Sequence, residues 1–350
     1  MITDTKILFK ANVLTAILVC LYGITHGQKV STTEVATGVA SSFRGLSVVD
    51  DSIAWVGGTN GMVGISVNGG TIWKWVHVPD CDKCDFRSIF AFNEKSAVIA
   101  NAGTPAHIFV TRDAGEHWQE TYRLNDTAAF IDGITFLENG TGIAYGDPIE
   151  GKMLVMTTKD YGTSWKNLPP EQRPDMHKGE ASFAASGTCL HMFSRRHWII
   201  ATGGTKSSLL ETKSSGRNWR RINTPMLQGK SSTGIFSLHA ANKKSWLIVG
   251  GDYKDDSATK DNAFFTKNSG RLWIRPFAPP RGYRECISST PAKNNRVLLT
   301  LGPGGIDISY DNGNTWQALT DDRKLHVIKK ARNGHLTIAA GGSGKIMIFR

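Results

Sequence analysis

Short apolar runs recur along the chain, each closed by a polar turn, and no stretch carries the 3.6-residue periodicity of an amphipathic helix. Ile108-Phe109-Val110, Leu154-Val155-Met156, Ala263-Phe264-Phe265 and Ile306-Asp307-Ile308 each lead into an eight-residue frame. The frame is a Ser or Thr, an Asp, Asn or Ser two positions on, a Gly two further, and a Trp three beyond that. Its six copies end at Trp73, Trp118, Trp165, Trp219, Trp273 and Trp316. A short polar side chain followed by Gly is the chemistry of a tight hairpin: the oxygen caps the turn's own amides and Gly accepts positive φ. The Trp intervals of 45, 47, 54, 54 and 43 residues match one four-stranded blade of a β-propeller.

Within the first repeat the strands are Leu46-Ser47-Val48-Val49, Ile53-Ala54-Trp55-Val56, Val63-Gly64-Ile65 and Ile72-Trp73-Lys74-Trp75. After the sixth Trp, the segment from Leu325 to Phe349 supplies three strands, and the fourth is expected from the N-terminal stretch Val30 to Ala36. The expected fold is therefore all-β, a seven-bladed propeller closed by an N-terminal strand. Closure leaves no open sheet edge, so a monomer is expected.

Residues 1–27 read as a signal peptide, with Lys6 and Lys10 ahead of the apolar run Ala11 to Gly23 and a small residue, Gly27, at the cut. Val19 is bulky for a lipoprotein anchor at Cys20. The expected product is one propeller domain, 28–350, secreted or periplasmic, with no transmembrane segment once the leader is removed. Of its four cysteines, Cys81 and Cys84 are expected as a loop staple or as free thiols. Neither a second C-x-x-C for zinc nor a cofactor motif is present, so no metal and no cofactor is expected. The formal charge of +11 favours anionic partners, and no nucleic-acid module is recognisable.

Strand direction alternates within a blade, so the start of each innermost strand and the loop between the second and third strands share one face, opposite the repeated turns. Aligning the innermost strands by their leading apolar residue gives Phe43-Arg44, Phe86-Arg87, Ile131-Asp132, Phe183-Ala184, Phe236-Ser237, Tyr283-Arg284 and Leu325-His326. Arg44, Arg87, Arg284 and His326 would then form a cationic crescent. Asp132, Asp147, Glu180 and Asp252, with Tyr253 beside it, would form an acidic one. Such a mouth either grips an anionic ligand through guanidinium forks or satisfies itself across the channel.

The repeated frame resembles the Asp-box, or BNR, repeat of sialidase-like propellers. Over residues 40–350 the chain resembles the photosystem II stability/assembly factor-like group, through the six frames and stretches such as Asp85-Phe86-Arg87, Tyr145-Gly146-Asp147-Pro148 and Gly250-Gly251-Asp252-Tyr253. That resemblance implies a binding or assembly propeller holding an anionic protein or glycan segment on an Arg-rich face. The sialidase resemblance implies the alternative, a glycoside hydrolase or lyase acting on acidic glycans. Tyr283 would be its nucleophile, activated by Glu180, and Asp132 its acid. The Phe/Tyr-Arg-Ile-Pro motif of sialidases has no counterpart, since Phe43-Arg44 is followed by Gly-Leu and Phe86-Arg87 by Ser-Ile.

Overall fold

The computed structural model describes residues 30–290 and 297–350; the expected leader lies outside the described residues. It is a seven-bladed all-β propeller. From the axis outward, the first blade is built of Phe43–Val48, Ala54–Gly58, Met62–Ser66 and Lys74–His77, and the others follow the same meander except blade five, whose outermost position is a single bridge, Phe265↔Ile274. The seventh takes Leu325–Lys330, Thr337–Gly341 and Ile346–Phe349 from the C-terminus, and Thr32–Val35 completes it, antiparallel and in register from Thr32↔Phe349 to Val35↔Ile346.

The six repeated turns share one hydrogen-bond scheme. The leading hydroxyl accepts from the Gly amide, at 3.0 Å for Ser66–Gly70 and 2.8 Å for Ser309–Gly313. The capping oxygen accepts from the amide four residues on, at 2.9 Å whether it belongs to Asn68, Asp113, Ser214 or Asn268. Asn and Ser therefore replace Asp without loss of the bond. The residue before each Gly also has positive φ, for example 58° at Ala114 and 77° at Gly115, which matches a turn that follows the twist of its strands.

Apolar clusters fill the spaces between neighbouring sheets; one runs through blades six, seven and one, from Leu299 and Ile308 to Ile338, Ile348 and Val56. Near the axis, hydroxyls tie four of the innermost strands to the next. Ser47 Oγ accepts from the Ala91 amide, Ser88 Oγ from Ile134, Ser237 Oγ from Ile287 and Ser288 Oγ from Lys330. Cys81 and Cys84 form a disulfide, while Cys189 and Cys286 are buried free thiols.

Three expectations about the innermost strands need correction. Blade four does not begin at Phe183; its innermost strand is Leu190–Ser194, and Glu180–Ala181 pairs instead with Gly203–Gly204, which joins the sheet of blade five. Phe183 leaves the sheet because its ring stacks on Phe236, centroids 3.9 Å apart. The register in blade five begins one residue earlier than expected, and in blade six one residue later. A glycine on the second strand packs against the carbonyl just before the leading position: Gly58 on Ser42, Gly146 on Phe130, Gly250 on Gly234, Gly302 on Tyr283, Gly341 on Lys324. In that register the leading residues are Phe43, Ile131, Ile235, Arg284 and Leu325, and the mouth residues are Arg44, Asp132, Phe236, Glu285 and His326.

Candidate functional site

One residue of slip moves a strand side chain to the opposite face, and here it exchanges an open arginine for a buried one. Arg284 is fully buried, its Nε 3.0 Å from Asp307 Oδ2, its Nη2 on the same carboxylate and its Nη1 donating to the Tyr283 carbonyl. It is an interior ion pair and not part of a cationic crescent. Glu285, missed in the sequence, holds the mouth position and receives both Arg44 Nη1, at 3.1 Å, and His326 Nδ1, at 2.9 Å. Alignment on the second-strand glycines would have found it.

Tyr283 is buried edge-on to Phe236, and its phenol is pushed well above the usual range by burial and by Glu285, with Arg44 opposing. Its neighbouring acid is thus Glu285, not Glu180. Glu180 is buried elsewhere with both oxygens engaged: Thr202 Oγ1 at 2.6 Å and Arg221 Nη1 at 2.5 Å on one, the His177 amide at 3.0 Å on the other. Asp252 is held by Lys230 and by the Lys254 amide, and Tyr253 lies exposed beside it, edge-on to Phe183 and Phe236.

Residues 182–187 cross the axis at this mouth as a plug. Ser182 donates its amide to Asp147 of blade three. Ala185 accepts from Arg44 of blade one, and the Ser186 hydroxyl donates to the Glu285 carbonyl of blade six. Gly187 lies against Ser88 and Arg87 of blade two. Small side chains at Ala184, Ala185, Ser186 and Gly187 let the segment thread between these groups. The expected crescents thus do not pair with each other: Arg44 holds the plug and Glu285, while Arg87 pairs with Asp85, Glu180 with Arg221 and Asp252 with Lys230.

Arg87 is paired with Asp85 at 2.7 Å, which leaves Asp132 buried with no hydrogen-bond partner on either oxygen. Burial and the nearby Asp147 raise its carboxyl well above the ordinary range, with Arg87 opposing. The folded chain then keeps a proton that the unfolded chain releases, so this group costs nothing in acid and costs progressively more as pH rises past the ordinary carboxylate range. Asp132→Asn is expected to raise the thermal midpoint at about pH 7 and leave it unchanged near about pH 3, where unfolded Asp is protonated too. An equal shift at both pH values in scanning calorimetry would remove the ionisation argument.

The opposite end of the channel is open. A cavity of about 420 Å³ is walled by the innermost strands of all seven blades and floored by Gly187 and Thr188. Lys329, Lys330, Arg332, His191 and His239 line it, and among the described residues no Asp or Glu does. Arg332 reaches across to Ser47 Oγ at 3.1 Å and to the Ala91 carbonyl, with its guanidinium 4.2 Å over the Phe90 ring. Burial brings Lys329 down to about 8, aided by Arg332 and opposed by Cys286. It brings His191 and His239 to about 4, so both are neutral at pH 7.

Among the described residues no group of three or more His, Cys, Asp or Glu could hold a metal, and no helix is long and apolar enough to cross a membrane. No protein-family profile matches the sequence, and no curated protein matches it. Solved structures do match in fold. YCF48 bound to D1 peptide superposes with a TM-score of 0.65 at 15% identity, covering 92% of this chain and 97% of that one. Virginiamycin B lyase from Staphylococcus aureus gives 0.64 at 13%, covering 92% and 98%. The GH74 xyloglucanase from Xanthomonas campestris gives 0.62 at 12%, covering 90% of this chain and 53% of that longer one. At these identities the likeness is one of fold, shared by a peptide-bound protein, a lyase and a hydrolase.

Proposed function

We propose that this is a secreted or periplasmic binding propeller of the assembly-factor kind, whose ligand is an anionic protein segment received in the channel well on the repeated-turn face. The observation that carries it is the well's charge: Lys329, Lys330 and Arg332 line a cavity that has no carboxylate among its described lining residues. Cations gathered in a partly desolvated recess repel one another, and an entering carboxylate relieves that repulsion while accepting their hydrogen bonds. The propeller of YCF48 bound to D1 peptide offers a precedent of fold for a peptide ligand, and the Cys81–Cys84 disulfide suits an oxidising compartment. The catalytic alternative has less support, because Glu180 is saturated and Tyr283 lies beneath the plug without it.

The test is fluorescence anisotropy with a labelled hexaglutamate peptide and the 28–350 protein. Lys329→Gln/Arg332→Gln is expected to weaken binding at least tenfold, about 1.4 kcal/mol. Wild-type affinity is expected to fall as pH rises through about 8, where Lys329 loses its proton. Unchanged affinity in the double variant would refute the site. Oligogalacturonate binding much tighter than hexaglutamate, through the same residues, would replace the protein segment by an acidic glycan.

A further inference from the structure

A second recess on the repeated-turn face lies between blades three and four and shares no lining residue with the channel well. Its volume is about 500 Å³, and Lys159, Arg195, Arg196 and Arg217 surround it with no Asp or Glu among the lining residues. The repeat structure explains the convergence. Arg195 and Arg196 sit at the first hairpin of blade four, Arg217 in its repeated turn, and Lys159 in the repeated turn of blade three. All of these turns emerge on one face.

The four cations of this recess converge without a carboxylate among them. Some cations elsewhere do have a carboxylate beside them, as in Lys74–Glu116, Lys152–Asp175, Arg275–Asp261 and Lys345–Asp322. Lys159, Arg195, Arg196 and Arg217 form no ion pair in the described structure. The nearby acids are engaged: Asp160 caps its own turn through Thr158 Oγ1 and Ser164, and Glu211 is held by His197, Lys213 and Arg220. Arg217 uses only its Nε, on the Ser214 carbonyl.

From this we propose that the recess is a second anion site, independent of the channel well, which takes a compact oligoanion carrying two or more phosphate- or sulfate-type groups. A monoanion would neutralise one of four cations, whereas closely spaced oxyanions match several guanidinium forks at once. The volume falls within the range of small-ligand sites, roughly 300–1,000 Å³. An extended nucleic acid fits poorly, because the one aromatic wall, Trp198, is buried and offers no face for base stacking.

Isothermal titration calorimetry with inorganic tripolyphosphate, against orthophosphate as the monomeric control, tests this. Wild-type protein is expected to bind tripolyphosphate at one site at least tenfold more tightly than orthophosphate. Arg195→Gln/Arg217→Gln, at exposed positions, is expected to weaken it at least tenfold with an unchanged melting temperature. Lys329→Gln/Arg332→Gln is expected to leave it intact, which separates this site from the proposed function. A disulfated disaccharide that displaces tripolyphosphate at lower concentration would assign the anions to a glycan rather than to phosphate. Lack of tripolyphosphate binding at millimolar concentration, dependence on Lys329 and Arg332 alone, or preference for single-stranded oligonucleotide would each overturn the proposal.

Discussion

Asp307→Ala is expected to lower the free energy of unfolding by about 3–5 kcal/mol, the usual result of removing one partner of a buried ion pair. Asp307 and Arg284 are both fully buried, and without the carboxylate the Arg284 guanidinium keeps only the Tyr283 carbonyl as acceptor. The reverse change, Arg284→Ala, is expected to cost less. Arg281 still donates to Asp307 from its backbone amide at 2.8 Å and its Nε at 2.7 Å, so the remaining charge stays neutralised. The pair Asp307→Leu/Arg284→Met is expected to recover most of the loss, because a well-packed apolar pair removes both desolvation costs. Urea unfolding of the three variants decides this, and equal losses for the two single variants would contradict the asymmetry.

Gly250→Val is expected to cost about 3 kcal/mol, near the upper end of overpacking effects. A Cβ at this position would run into the Gly234 carbonyl and the Ile235 Cα, both backbone, so no rotamer change can relieve it. The innermost two strands of blade five would have to part, and with them the amide of Arg284, which donates to the Gly250 carbonyl at 3.0 Å. Gly103→Ala serves as the control. Its added carbon meets nothing closer than the end of the Asn101 side chain at 3.4 Å, and the expected change is within about 0.5 kcal/mol, as for ordinary surface substitutions. A small loss at Gly250 in the same unfolding assay would mean that the glycine is incidental to the repeat.

The architecture was legible in the sequence because its signals are local. A hydroxyl, a capping oxygen and a glycine within five residues determine each turn, and the shortage of one strand at the C-terminus pointed to Thr32–Val35 as the closing piece. The mouth was less legible because its residues are fixed by partners far away in the chain. Phe183 looks like the start of a strand until Phe236, 53 residues later, stacks on it. Arg284 looks like Arg44 until Asp307 draws it inward. The leading apolar residue is a poor marker of register when an ion pair can occupy that position, whereas the second-strand glycine is constrained by backbone contact and marks it well. The basic well escaped notice because Lys329 and Arg332 lie past the aligned pair, toward the other face.

The clasp in blade seven has a bearing on the order of folding events. Six joints between blades are carried by the continuous chain, while the seventh depends on Ser31 exchanging backbone hydrogen bonds with Arg350, 319 positions away, and on the register beside it. Loop-closure entropy makes such a contact costly until the intervening blades have brought the ends together. The clasp is therefore a late event in assembly and an early one in opening, so its strength governs how long the closed ring lasts far more than how quickly it forms.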